Sequence, residues 1–205
     1  MTMRIAALLS LALGATGLAG FLTLAGIGPL ASPEAHHLRA MKDRLEAPAA
    51  LEPITFAVMG ALPHGEAMSA YAPIERRGVT LEGYIEGMLT SSDGDIHLEV
   101  AATDSVPSWP NERYVTAEIP ARWRRGSATW QFEPLAALFR PIGSGDTRWD
   151  RRARRVRLHG WLLYDVQYDT PHTMTIGRTT GWEIHPVTGI DVWDPASGRF
   201  TAYAR

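Results

Sequence analysis

The chain has 205 residues, of which 45% are hydrophobic, 20 are basic and 22 are acidic. This composition predicts one packed domain and excludes a disordered or fibrous protein. Cysteine is absent, which excludes disulfides, thiolate metal ligands and a cysteine nucleophile. Metal or acid–base chemistry would therefore depend on other side chains, such as His, Asp and Glu.

The N-terminal segment, residues 1–31, is predicted to direct the chain to a membrane. Arg4 is its only charged residue, and an uncharged, mostly apolar run extends from Ile5 to Ala31. About 20 apolar residues suffice to span a bilayer, whereas a cleaved signal peptide has an apolar stretch of about 7–15 residues before small residues. The segment is therefore either a signal peptide cut near Ala31 or a retained anchor. Its basic start predicts export, to the periplasm or to the outer face of the inner membrane.

Residues 32–78 are predicted to be a stalk or lead-in segment, and residues 79–205 the folded domain. Residues 35–45 have the composition of a short polar helix, and prolines then recur at positions 48, 53, 63 and 73. Proline interrupts helices and central strands, so this stretch is expected to lie on a surface or to space the domain from the membrane.

The domain is predicted to contain five strands and one helix. Apolar residues or glycines recur at every second position from Leu81 to Leu89, as in a half-buried strand, and Asp93-Gly94 is typical of a hairpin turn. Phe132, Leu135 and Phe139 have helical spacing. In chain order, the predicted elements are strands 81–89, 95–100 and 114–119, a helix at 129–140, and strands 156–166 and 181–193.

This order of three strands, one helix and two strands is that of the OB-fold, a five-stranded Greek-key barrel with a helix between strands 3 and 4. Four segments carry a further resemblance: DGDIHL at 93–98, AEIP at 117–120, VRLHGWLLYD at 156–165 and WEIHPVT at 182–188. Together they resemble a group of exported bacterial OB-fold-like proteins without an assigned reaction. The resemblance covers about residues 79–193, and it implies a fold and an export route but no activity.

Histidines and carboxylates recur on predicted strand faces. Because side chains alternate along a strand, Asp95, His97 and Glu99 share one side, and Glu183 shares a side with His185. His97, Glu99, Glu183 and His185 are therefore candidate ligands of a divalent metal, or acid–base groups. The alternative is an ordinary polar strand face held by hydrogen bonds and ion pairs.

The neighbouring strand adds polar candidates to that face. Its alternation is expected to place Tyr84, Glu86 and Met88 on the side of His97 and Glu99. Tyr84 and Glu86 are accordingly candidate ligand-binding residues, since a tyrosine and a carboxylate beside a histidine can hydrogen-bond a polar ligand.

An arginine-rich stretch suggests a second binding surface. Residues 122–157 contain ten arginines and only three acidic residues, and Trp123 lies between two of those arginines. Basic groups beside aromatic rings bind anionic or stacking ligands, so Trp123, Arg124 and Arg125 are candidates. The alternative is a solvated loop. The rest of the chain is acidic, which argues against nucleic acid as the partner.

Two functions remain open from the sequence. The first is an exported, possibly membrane-tethered binding or envelope-interaction module without catalytic activity or cofactor; its partners would be the inner membrane, through residues 5–31 if retained, and an envelope protein or anionic ligand. The second is a metal-assisted hydrolase of phosphodiesters that uses the His/Glu residues and a divalent metal. No Walker loop, HExxH helix or GxSxG elbow is present, so no catalytic residue is assigned.

Overall fold

The structure, a computed structural model, describes residues 32–104, 113–139, 154–171 and 177–204. The predicted signal peptide or anchor, residues 1–31, and residues 140–153 of the arginine-rich stretch lie outside the described residues. No helix within the described part of the chain is both long and apolar enough to cross a membrane.

The chain divides into two compact units, with the boundary between Lys42 and Asp43. The described part of the first unit contains helix α1 (Pro33–Lys42), and Ser32 begins it by accepting a hydrogen bond from the Ala35 amide through its hydroxyl oxygen. A serine in this position satisfies an amide that the first helical turn leaves without a partner.

The second unit is mainly β. Its strands are β1 (Glu52–Ile54), β2 (Gly78–Thr90), β3 (Ile96–Ala101), β4 (Tyr114–Ile119), β5 (Arg154–Tyr164), β6 (Arg178–Asp194) and β7 (Arg199–Ala204). Its described helices are α2 (Phe56–Gly60), α3 (Met68–Tyr71), α4 (Phe132–Phe139) and a 3-10 turn (Val166–Tyr168). In the chain, α4 lies between β4 and β5.

Five of the strands close a barrel. β2 pairs with β3, β3 with β4, β4 with β6, β6 with β5, and β5 with β2. The β4–β6 pair is parallel and the other four pairs are antiparallel. The prediction of a mainly β, five-stranded barrel is confirmed. Two short strands extend it, since β1 pairs with β2 and β7 pairs with β6.

Residues 43–78, predicted as part of the lead-in, contribute to the core of this unit. Ile54, Met59 and Tyr71 are buried in the same apolar cluster as the barrel residues. The ring centroid of Tyr71 lies 4.1 Å from that of Tyr164 on β5 and 5.7 Å from that of Trp182 on β6. The helices here span only five and four residues, which is too short to produce a recognisable helical period in the sequence.

A β-bulge in β2 changes which of its side chains face the core. The pairing with β3 shifts register between Ile85 and Gly87, after which Met88 pairs with Leu98. Met88 and Leu98 are both fully buried in the core. The expectation that Met88 shares a side with His97 is therefore wrong, because one extra residue in a strand reverses the alternation beyond it.

Candidate functional site

Three barrel strands bring histidines and carboxylates together on their side away from the apolar core. Glu118 on β4 is central, because β4 lies between β3 and β6. One carboxylate oxygen of Glu118 lies 3.2 Å from Nδ1 of His97 on β3, and the other lies 3.1 Å from Nδ1 of His185 on β6. Glu118 thus links two histidines whose strands do not pair directly. We call Asp95, His97, Glu118, Glu183 and His185 the His185 cluster.

An arginine and a glutamate fix the orientation of the His185 ring. Oε1 of Glu183 lies 3.1 Å from Nδ1 of His185, and Arg178 donates from Nη2 to Oε2 of Glu183 over 2.8 Å. Glu183 and His185 are completely buried and Arg178 is 2% exposed. A buried arginine–carboxylate pair of this kind holds its partners in one geometry, because any rotation would leave a charge without its hydrogen bonds.

Asp95 faces the other nitrogen of the same ring. The turn before β3 positions it: Gly94 adopts a left-handed conformation with φ of 88°, and the Ala121 amide donates to Oδ1 of Asp95 over 2.8 Å. Oδ2 of Asp95 then lies 3.8 Å from Nε2 of His185, beyond hydrogen-bond distance. Nε2 is buried and has no hydrogen-bond partner among the described residues.

The protein surroundings shift the pKa values of His185 and Asp95. Burial lowers the pKa of His185, but its hydrogen bonds to Glu118 and Glu183 outweigh burial and raise the pKa to about 9. Burial raises the pKa of Asp95 above its usual range, even though the Ala121 amide acts in the opposite direction. The cluster therefore has a high affinity for positive charge, because several carboxylates share one buried space.

Three members of the cluster have the chemistry and spacing of metal ligands. One potential ligand atom from each of Asp95, Glu118 and His185 lies within 4.8 Å of the other two. Carboxylate oxygens and an imidazole nitrogen are ligands for first-row transition metals and zinc.

Of the four residues proposed from the sequence as metal ligands, only His185 belongs to the three-residue group. His97 contacts Glu118, Glu183 contacts His185, and Glu99 is buried on β3 opposite Thr116. Asp95 and Glu118 were not proposed as ligands. Alternation along β4 could have placed Glu118 on the outer side, but only the parallel β4–β6 pairing shows that it meets His185.

Two of the three ligand-binding candidates in the arginine-rich stretch, Trp123 and Arg124, make side-chain contacts within the protein. The Trp123 ring packs edge-on against that of Trp130, with centroids 6.4 Å apart. Arg124 donates to the Gly94 carbonyl and, over 3.3 Å, to Oε1 of Gln131. Arg125 is exposed. A ligand at these residues stays a prediction.

The two candidates on β2 lie apart from the His185 cluster in the strand pairing. Tyr84 is partly buried and pairs with Ala101 on β3 and Arg155 on β5. Glu86 is buried at the bulge. Their role as ligand-binding residues also stays a prediction.

A second histidine site lies on β2, β5 and β6. Nδ1 of His159 is 2.8 Å from Oγ1 of Thr80, and Nε2 is 2.9 Å from Oδ2 of Asp191. Both ring nitrogens therefore have hydrogen-bond partners. Two residues further along β2, Glu82 accepts hydrogen bonds from Arg155 and Arg157 on β5. We call Thr80, His159 and Asp191 the His159 cluster.

A cleft of about 400 Å³ lies where the chain enters β2. Its lining residues are Pro48, Ala49, Ala50, Leu51, Glu52, Arg76, Arg77, Gly78 and Trp161. A Cβ on Gly78 would lie 2.2 Å from Cβ of Pro48, so only glycine lets the two segments approach this closely. Trp161 forms one wall, fixed by an Nε1 hydrogen bond of 2.7 Å to the Glu46 carbonyl.

No family model, curated protein or solved structure matches the chain. The geometry of the cleft and of the two histidine clusters is therefore the basis for a function.

Proposed function

We propose that the chain is an exported, OB-fold-like binding module without catalytic activity, and that its ligand is a small anion with a flat apolar body. The order of the barrel strands supports the fold, because a closed five-stranded barrel with a helix between its third and fourth strands is the OB arrangement, and OB barrels bind ligands. Export is supported by the apolar run from Ile5 to Ala31 behind Arg4.

The cleft beside Trp161 carries the proposal for the ligand. Arg77 forms an ion pair with Glu52, so its charge is compensated. Arg76 is exposed, lines the same cleft and has no ion pair among the described residues. Arginine recognises carboxylate and phosphate groups through paired hydrogen bonds, so the remaining positive charge favours an anion.

The other walls of the cleft support an apolar body for that ligand. Pro48, Ala49 and Ala50 line one side, and the indole of Trp161 lines another. A volume of about 400 Å³ is within the range of small-molecule sites. Apolar walls with one uncompensated charge at the edge are typical of such sites, in which the charge orients the ligand and the walls bury it.

Calorimetric titration of the purified full-length chain with phenyl phosphate, benzoate and benzyl alcohol tests the proposal. We expect both anions to bind more tightly than the neutral alcohol. Arg76→Gln should weaken the binding of the anions about tenfold, because it removes the charge-assisted hydrogen bonds and keeps the length of the side chain. Arg199→Gln, at an exposed arginine outside the cleft, is the matched control and should bind as wild type.

Equal affinity for benzyl alcohol and the two anions would contradict the proposed ligand class. Unchanged anion binding in Arg76→Gln would exclude the cleft as the site.

The alternative function, a metal-assisted hydrolase, is favoured by one observation, the gathering of Asp95, Glu118 and His185. His185 and Glu183 are completely buried. A bulky phosphodiester cannot reach the His185 ring in this geometry. The cluster thus supports the binding of an ion better than the cleavage of a polymer.

A further inference from the structure

We propose that Asp95, Glu118 and His185 bind one divalent transition-metal ion of the zinc or manganese type. This inference goes beyond the proposed anion-binding function, because none of the three residues lines the cleft. It rests on the spacing of the ligand atoms, on a buried nitrogen without a partner, and on the buried negative charge.

The spacing of the ligand atoms suits a single ion. Ligand atoms of the three residues lie within 4.8 Å of one another, and Oδ2 of Asp95 is 3.8 Å from Nε2 of His185. Two ligands placed about 2.1 Å from a tetrahedral zinc ion lie roughly 3.4 Å apart. A contraction of a few tenths of an ångström between Asp95 and His185 would therefore bring both atoms to coordination distance. Glu118, which lies 3.1 Å from Nδ1 in this structure, would turn its carboxylate towards the ion to become the third ligand.

The orientation of His185 is that of a metal ligand. A metal-bound imidazole normally donates its other N–H to a carboxylate, which fixes the ring and leaves the lone pair directed at the ion. Here Glu183 and Glu118 each lie 3.1 Å from Nδ1, and Glu183 is itself held by Arg178. The other nitrogen, Nε2, is completely buried, has no hydrogen-bond partner among the described residues and lies nearest to Asp95 across 3.8 Å.

The buried charge at this position also favours a cation. Asp95 and Glu118 are 8% and 4% exposed. Carboxylates removed from water are costly unless a positive charge or strong hydrogen bonds compensate them. A divalent ion would compensate both carboxylates at once. The imidazole favours zinc over magnesium and calcium, which prefer oxygen ligands, and the two carboxylates also suit manganese.

The test uses the full-length chain, treated with EDTA, dialysed, and titrated separately with Zn²⁺ and Mn²⁺ by calorimetry. Bound metal is counted by mass spectrometry. We expect one ion per chain and about 10–100-fold weaker binding in Asp95→Asn, since an amide oxygen is a poorer ligand than a carboxylate. Asp95 is chosen because it lies at the edge of the cluster, whereas replacing the fully buried His185 endangers folding.

The matched control is Asp191→Asn, which makes the same chemical change beside His159, where both ring nitrogens already have hydrogen-bond partners. Circular dichroism confirms that each variant is folded. The proposal is supported if Asp191→Asn binds metal as wild type does. It is overturned if the wild-type chain binds neither ion, or if Asp95→Asn binds metal as tightly as wild type, which would assign the ion to histidines elsewhere. Neither result bears on Arg76, so the two proposals can fail separately.

Discussion

Two histidines on the outside of the same barrel are used in different ways. His159 is 9% exposed and has a hydrogen-bond partner at each ring nitrogen, Thr80 at Nδ1 and Asp191 at Nε2. His185 is completely buried, and carboxylates crowd one of its nitrogens while the other has no hydrogen-bond partner among the described residues.

The difference shows that a histidine beside a carboxylate is not by itself a candidate site. What distinguishes the two clusters is whether both ring nitrogens have hydrogen-bond partners. A ring with both nitrogens hydrogen-bonded contributes a modest ion pair or hydrogen bond, whereas a buried ring whose second nitrogen has no hydrogen-bond partner can bind a metal ion in place of a proton.

The largest expected effect comes from removing Arg178, the buried arginine that pairs with Glu183 of the His185 cluster. Arg178→Met leaves Glu183 charged, buried and without its 2.8 Å partner. Breaking one side of a buried pair costs about 3–5 kcal/mol of the free energy of unfolding. Urea denaturation of the wild-type and variant chains measures this difference.

Arg155→Met is the comparison variant for that experiment. Arg155 pairs with Glu82, and both side chains are about one-third exposed, at 33% and 36%. Solvent-exposed pairs contribute about 0–1 kcal/mol, so this variant should lose far less stability. Equal losses in the two variants would remove the distinction between the buried and the partly exposed ion pair.

A smaller loss in the free energy of unfolding is expected from a substitution in the His159 cluster. Asp191→Asn replaces a charged acceptor, 14% exposed, by an amide that still reaches Nε2 of His159. Because the hydrogen bond survives in weaker form, the free energy of unfolding should fall by about 1 kcal/mol. Thermal unfolding followed by circular dichroism measures it, and a loss as large as that of Arg178→Met would contradict the comparison.

The smallest effect is a pH dependence at the surface pair beside His159. Burial raises the pKa of Glu82, but hydrogen bonds from Arg155 and Arg157 outweigh it and hold the pKa below the ordinary value of 4.5. The folded chain thus binds this proton less readily than the unfolded chain. The stabilisation is complete above the unfolded pKa and is lost as the pH falls through the lower folded pKa.

Urea midpoints at about pH 6 and about pH 3 reveal this contribution. The decrease on acidification should be smaller in Glu82→Gln than in wild type, and the difference between the two chains should shrink in high salt, because exposed charges are screened. An identical decrease in both chains would show that Glu82 does not contribute.

The sequence predicts the barrel well because alternation and the Asp93-Gly94 turn are local signals. It also identifies His97, Glu183 and His185 as candidates, since each faces outward on its strand. Glu118 is missed because its meeting with His185 depends on a parallel pairing between β4 and β6, whose residues lie far apart in the chain.

The cleft and the bulge are also missed by the sequence, but for a physical reason that differs from the one for Glu118. The cleft is formed by residues 48–52, in a proline-interrupted stretch without periodicity, packed against the start of β2. The bulge at Glu86 reverses the alternation by a single residue, and the neighbouring Gly87 does not by itself fix where the reversal occurs, because Gly83 in the same strand is equally placed in the pattern.

The place of β6 in the barrel has a consequence for how the protein is made. This strand lies between β4 and β5 and supplies both His185 and Asp191. The contact between Thr80 and His159 that helps close the barrel joins residues 79 apart, and such distant contacts slow folding. On the ribosome, neither histidine cluster can form until β6 has been synthesised, so the chain reaches the last of its long strands before either site exists.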